Sequence, residues 1–353
     1  YMFMLRDRLS GRFNNYDFIR FIAATLVIVS HAYHLSGFTK DEPLAVFSGG
    51  QTDLGQLGVL IFFVISGFLI AQSYERNPNA VTFLKARVLR IMPALVLVII
   101  FTVFILGPVV TDLSLRNYFT NSDTYNYLFS IFLYPMQYEL PGVFENNPFP
   151  GAVNGSLWTL AIEFTFYFCV LFSGIFRLLN KKAITIIFIM SLALPYLYLP
   201  FAEGYEGYID LSSFFLAGVL FYLYRDQIKF NWMMALLSFT VIILSLLFGH
   251  FHFVFAIFGS YFIFYIAYHP NINLQKFSNY GDASYGMYIF AFPIQQVISL
   301  YLHGSVTPFI NFIITFPIVL LLSYSSWHFL EKPMLKLKNK KIFITKAYNR
   351  QTL

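Results

Sequence analysis

Tyr125-Asn126-Tyr127-Leu128-Phe129-Ser130-Ile131-Phe132-Leu133-Tyr134-Pro135-Met136-Gln137-Tyr138 is the stretch on which the topology of this chain turns. A helix needs about 20 residues to cross a hydrocarbon core of ~30 Å. This stretch is shorter and carries Pro135 near its end, so it reads as a re-entrant or interfacial segment. Around it, apolar runs near the spanning length recur at 16–35, 57–74, 89–110, 157–179, 183–200, 208–224, 232–249, 251–268, 285–301 and 306–329. Ten spans follow if 125–138 stays out of the count, eleven if it crosses.

Charge separates the two. With ten spans and a cytoplasmic N-terminus, the inner side collects Arg6, Arg8, Arg12 and Arg20, then Arg76, Lys85, Arg87 and Arg90, then the basic residues of the later inner loops. The tail adds Lys332, Lys336, Lys338, Lys340, Lys341, Lys346 and Arg350, so of the 23 Lys and Arg only Lys40 and Arg116 fall outside. If 125–138 crossed, everything beyond it would flip and most basic residues would face outward. The positive-inside rule selects an all-α integral membrane protein, a bundle of about ten transmembrane helices with both termini cytoplasmic.

Composition agrees. Of 353 residues 58% are hydrophobic and 11% charged, against about 25% charged in a soluble domain. The net charge of +6 would suit nucleic acid, but its confinement to inner loops argues for a bilayer and against nucleic acid. The single Cys169 can form no intramolecular disulfide. The first apolar run is too long for a cleavable signal and contains Arg20 and His31. The chain reads as one transmembrane domain over 1–353, with a long extracytoplasmic loop at 111–154 and no appended soluble domain. A loop of that length is functional or disordered, and its many Tyr and Phe residues speak for order. Asn154-Gly155-Ser156 matches a glycosylation sequon, a triplet frequent by chance, and is set aside.

Charged groups within spans mark a site or an internal pair. Arg20 and His31 lie on one helical face, within about 20° of each other and about 16 Å apart in rise. Arg20 reads as a ligand-facing cation, a snorkelling anchor or a partner of Asp17; His31 reads as a general base or as a hydrogen-bonded core histidine. His34 follows His31 by one turn, but no third ligand stands at metal spacing, so no metal is expected. Ser66 and Gly67 fall near mid-membrane, where small residues permit close helix packing and a serine could be a nucleophile with a base in reach. Arg87 and Arg90, about 60° apart on one face, can grip a phosphate bidentately or serve as ordinary inner arginines. Glu163 lies roughly 10 Å below the outer surface, in the slab of His31, and reads as a carboxylate orienting or sharing a proton with an imidazole or as half of a structural salt bridge.

These residues form a familiar set. The chain resembles the acyltransferase 3 family of membrane acyltransferases: Arg20 and His31 with ten residues between them, Phe62-Phe63-Val64-Ile65-Ser66-Gly67-Phe68, Arg87-Val88-Leu89-Arg90, Trp158-Thr159-Leu160 with Glu163, and Glu331-Lys332-Pro333 follow the family's motifs in order. One position departs, Ala291, where many members carry a histidine before an aromatic-proline pair. The resemblance implies an O-acyltransferase of the bacterial plasma (inner) membrane. It would move an acyl group, acetyl in most members, from cytoplasmic acyl-CoA (acetyl-CoA) to a hydroxyl of an extracytoplasmic carbohydrate or cell-envelope glycan. His31 and Glu163 would be catalytic, Arg20, Arg87 and Arg90 would bind the donor, and Ser66, Gly67 and Trp158 would shape the substrate site or the packing. The alternative is a multi-pass transporter or channel in which Arg20, His31 and Glu163 line a solute or proton pathway.

Overall fold

The computed structural model describes residues 2–9, 14–197, 204–302 and 305–339. Arg12, Lys340, Lys341, Lys346 and Arg350 of the inward-facing basic set, and the 198–200 end of the fifth expected span, lie outside them. Helix occupies part of each of the ten apolar stretches: α1 Tyr16–Leu35, α2 Leu54–Arg76, α3 Ala80–Val110, α4 Trp158–Ile175, α5 Lys181–Ala193, α6 Glu206–Leu223, α7 Trp232–Phe248, α8 Phe251–Tyr268, α9 Ser284–Leu302 and α10 Pro308–Lys336. Seven of them are long and apolar enough to cross a membrane. The other three are α5 and α7, which are short, and α9, whose apolar character is diluted by Gln295, Gln296 and three tyrosines. Sheet among the described residues is one antiparallel pair, β1 Met2–Met4 against β2 Lys229–Asn231.

Helix starts are set by single polar residues that break apolar runs. Asp53, Asn79, Asn180, Asn231 and Thr307 each accept a hydrogen bond from the first turn of the helix they open, satisfying a backbone donor that would otherwise be orphaned. The start of α3 at Ala80 matters for the site. It puts Arg87 and Arg90 two to three turns inside the helix, rather than at the start of a span beginning at 89. Single π turns interrupt α3 at Thr102–Leu106, α8 at Phe255–Gly259 and α10 at Trp327–Glu331. Such bulges redirect side chains within a continuous helix, and the last carries Glu331, fully buried.

The centre of the bundle is α2, packed between α1 and α6. A Cβ on Gly67 would stand 1.9 Å from the Phe215 carbonyl oxygen, and one on Gly218 would stand 2.0 Å from that of Val64. Gly67 is therefore a packing residue, letting two backbones touch. Ala291, at the departing position, is buried on α9 with Ala24, Ile28, Met287 and Val319 around it.

The 125–138 stretch is not a continuous helix. It enters from a short helix Ser122–Asn126, continues as the 3-10 turn Tyr127–Phe132 and ends in bends and irregular chain. The loop around it is ordered: Thr111 pairs with Val143 and Glu139 with Ala152. Burial, with Tyr125 beside it, pushes the Tyr118 phenol up to about 12, so it stays a donor, and it bonds the Val103 carbonyl at 2.8 Å. Three buried amides fasten the loop to α9: Asn147 donates to the carbonyl of Gln296 at 2.9 Å, Gln296 donates to the carbonyls of Phe149 and Ala152, and Asn154 donates to that of Ile289 at 2.8 Å. A buried Asn154 bonded in this way is no glycosylation acceptor.

Candidate active site

A cavity of about 480 Å³ opens where α2 ends and α3 begins and runs inward between α1, α2, α3, α4 and α9. Five of the residues singled out by sequence, Arg20, Ser66, Arg87, Arg90 and Glu163, line it. Trp158, Gly67 and His31 do not. Trp158 is partly exposed and its ring covers Gly207 on α6.

The arginines divide into two kinds. Arg90 ion-pairs with Asp282 and, at 3.3 Å, with Glu331, while Arg20 reaches the same Asp282 oxygen at 3.5 Å. Glu331 also accepts from Ser326 at 2.9 Å, and Arg90 lies over the rings of Tyr285 and Trp327. Two sequence motifs far apart in the chain, the Arg87/Arg90 pair and the closing Glu331, thus meet through Arg90. Burial pushes the Asp282 carboxyl upward, but Arg90 and Arg20, with hydrogen bonds from Ser284, outweigh it and hold the group below the usual carboxylate range. Arg87 has no carboxylate partner among the described residues. Its guanidinium donates to Ser73 Oγ at 3.3 Å, stands over the rings of Phe83 and Tyr167, and leaves a buried Nε without a hydrogen bond.

Deeper in the cavity Glu163 receives two hydroxyls on one oxygen: Ser66 Oγ donates to Oε1 at 2.8 Å and Tyr167 OH at 2.6 Å. Both contacts follow from helix geometry, since Tyr167 lies one turn after Glu163 on α4 and α4 packs along α2. The second carboxylate oxygen takes no hydrogen bond among the described residues. Glu163 is not hydrogen-bonded to His31, so the expected imidazole-carboxylate pair does not form.

His31 lies elsewhere. The cavity's inner lining includes Val59, Phe62, Thr159 and Tyr288, with Thr159 and Tyr288 hydroxyls bonded at 2.7 Å and Phe62 edge-on to Tyr288. One turn past Tyr288 on α9, Phe292 presents its ring at 5.1 Å to the His31 imidazole, whose Nδ1 is buried without a partner. The carboxylate on the His31 side is Asp53, which caps α2 and pairs with His34 at 3.4 Å. Among the described residues no three His, Cys, Asp or Glu side chains are grouped to hold a metal.

Sequence reasoning missed Asp282, Tyr167 and Asp53. Asp282 sits in a Gly-Asp-Ala-Ser loop where an aspartate reads as an ordinary helix cap; the only signal for it was an excess of arginines in need of partners.

Comparison with known proteins now bears on this arrangement. An acyltransferase domain family matches residues 13–328, which takes in every residue placed in or beside the cavity above except Glu331. The chain belongs to that acyltransferase family. An O-acetyl transferase of Shigella phage Sf6 is 30% identical to this acyltransferase over 346 residues, covering 93% of this chain and 98% of the phage protein. Nodulation protein 10 of Rhizobium leguminosarum bv. viciae is 36% identical over 172 residues, covering 46% of this chain and 44% of its own. No solved structure matches the acyltransferase.

Proposed function

We propose that this chain is a membrane O-acyltransferase that takes an acetyl group from acetyl-CoA on the cytoplasmic side and delivers it to a hydroxyl of an extracytoplasmic carbohydrate or cell-envelope glycan. In this reading the ten helices all cross the bacterial plasma membrane as a single domain, with both termini cytoplasmic. The observation that carries it is the cavity: Arg87 at its charged end has no ion-pair partner among the described residues, and its inner end stops one turn short of the Phe292 ring against His31. Described residues from both ends of the chain, Arg6 and Lys338, line cavities at that charged end, which supports placing both termini on the donor side. The full-length likeness to a phage O-acetyl transferase supports acetyl as the group moved.

The donor would lie with its phosphates at the arginine end and its thioester arm pointing inward past Ser66 and Glu163. His31 would take the proton of the acceptor hydroxyl as its oxygen attacks the thioester carbonyl. The new C–O bond forms, the C–S bond breaks, and the proton passes from His31 to the departing thiolate. Because Phe62 and Tyr288 line the inner end of the cavity and Phe292 stands beyond them against His31, transfer needs this aromatic layer to part. Glu163, held by Ser66 and Tyr167, would orient the arm of the donor through its free oxygen. The ordered loop at 111–154 contributes nothing to the cavity lining, and its docking on α9 suits an acceptor platform on the far side.

The test is purified protein in liposomes with acetyl-CoA inside and candidate glycans outside. The expected result is release of free CoA that depends on the glycan, with a matching acetyl mass gain on the glycan. Glycan uptake into the vesicle without CoA release would identify a transporter and overturn the reading.

A further inference from the structure

Three cations line the cavity mouth from three separate elements: Arg76 at the end of α2, Arg87 in the second turn of α3, and Lys338 in the 3-10 turn that follows α10. None of the three forms an ion pair with a carboxylate among the described residues, in contrast to Arg20 and Arg90, which share Asp282. Like charges gathered without counter-ions repel. Burial, and after it the charges of Arg87 and Arg76, hold the Lys338 ammonium below the usual lysine range. Arg87 also keeps a buried donor, its Nε, without a partner among the described residues, and an unsatisfied buried donor on a charged group is costly. Such a group persists where a ligand completes it. A second cavity, of about 320 Å³, shares Arg76 and Gln72 with the first, so Arg76 stands where a long ligand would pass from one to the other. The other two arginines of that second cavity are already paired, Arg6 with Asp226 and Arg225 with Glu75.

We propose that Arg76 and Lys338, together with Arg87, bind the phosphates of the acyl donor, and that Arg20 and Arg90 are positioning residues, clamping α1, α3 and the end of α10 through Asp282 and Glu331. This rests on the acyl-transfer reading. It assigns phosphate recognition to two residues outside the recurring motifs and withdraws it from two within them. An ion-paired guanidinium has its charge and fork geometry already engaged, while an unpaired one offers both to a dianion.

The experiment compares acetyl-CoA, 3′-dephospho-acetyl-CoA and S-acetylpantetheine, which lacks all the phosphates, as donors for purified protein in phospholipid-free detergent. CoA binding is measured alongside by calorimetry. Arg76→Ala and Lys338→Ala are each expected to raise KM for acetyl-CoA about tenfold, the low end for a charge-assisted bond. KM for S-acetylpantetheine should stay within twofold, and Arg76→Lys should restore most of the loss. Added phosphatidylglycerol should compete with acetyl-CoA only weakly. Equal losses on acetyl-CoA and S-acetylpantetheine would overturn the phosphate assignment while leaving acyl transfer standing. An acetyl-CoA KM unmoved by either substitution without lipid would assign the cluster to lipid headgroups and also overturn it. Absence of turnover with all three donors would sink the acyl-transfer reading itself, and calorimetry would still report whether CoA binding depends on Arg76.

Discussion

At the end of the bundle that carries Arg20, Arg87 and Arg90, charge is abundant and sorted: two arginines share Asp282, and Arg90 also engages Glu331. Around His31 at the other end, the neighbours are a phenylalanine ring, a second histidine and one aspartate that caps a helix. The first region lines a cavity of about 480 Å³, and His31 lies outside that cavity. The difference shows how motif residues that look alike in sequence do different physical work. Arginines in a cavity wall can be ligand contacts or internal ties, and the carboxylates opposite them decide which. A histidine behind the Phe292 ring and outside the cavity can reach a ligand there only when that ring moves.

The largest effect expected from disturbing this contrast is at Asp282, which joins α1 to α3 through two arginines. Removing one partner of a buried ion pair destabilises by about 3–5 kcal/mol, because the remaining charge is left uncompensated. Asp282→Ala should sit near the lower figure, since Arg90 keeps Glu331. Thermal unfolding in detergent checks it, and a melting temperature equal to wild type would break the clamp. Next in size is His31→Ala, which should lower kcat on the order of 10²-fold for lost general-base catalysis while CoA affinity holds. A folded His31→Ala protein turning over at the wild-type rate would move the chemistry to the cavity side, to Glu163.

A smaller effect tests whether the two regions are coupled at all. Contacting residues show non-additive energies, whereas distant ones with no shared partner add. Glu163→Gln combined with Tyr167→Phe should cost less in unfolding free energy than the sum of the single changes, since both act on one hydrogen bond of 2.6 Å. Glu163→Gln combined with His31→Ala should add within about 0.5 kcal/mol. Coupling of the second pair beyond that would mean that Glu163 reaches His31 in a state other than this one.

Much of this was legible from sequence. Hydropathy located a helix on each of the ten stretches, because apolar runs this long have few soluble alternatives, and the weak 125–138 stretch was rightly read as no ordinary span. The spacing of Arg87 and Arg90 and the placement of Ser66 and Glu163 brought out groups that line one cavity. What stayed hidden was pairing across the fold. Asp282 meets Arg90 across 192 positions, and no local pattern records that. Glu163 and His31 were linked by depth alone, and depth fixes one coordinate of three: Glu163 turns toward α2 and Ser66, while His31 turns toward α9 and Phe292. The π turn that carries the buried Glu331 has no sequence signature beyond the residues themselves.

The smallest expected effect concerns Asp53, the carboxylate paired with His34 on the His31 side. Burial pushes its carboxyl up, but the hydrogen bonds from His34 and from the Gln56 backbone, with the charges of His34 and His31, outweigh burial and hold it below the usual range. A carboxylate depressed in the folded state adds stability that is fully present above its unfolded value of about 3.9. That stability is lost as pH falls through the lower folded value. Asp53→Asn keeps an oxygen to cap α2 and removes only the charge. Between pH 6 and pH 5 the wild-type protein should therefore melt higher than Asp53→Asn, and below about pH 4 the gap should close. Arg90 and Asp282 at the other end are untouched by the substitution, so the acid-induced loss they cause must remain in both proteins. A gap that stayed constant down to pH 3 would show that the contact at 3.4 Å between His34 and Asp53 contributes through shape rather than charge, and would leave the His31 side without an electrostatic partner.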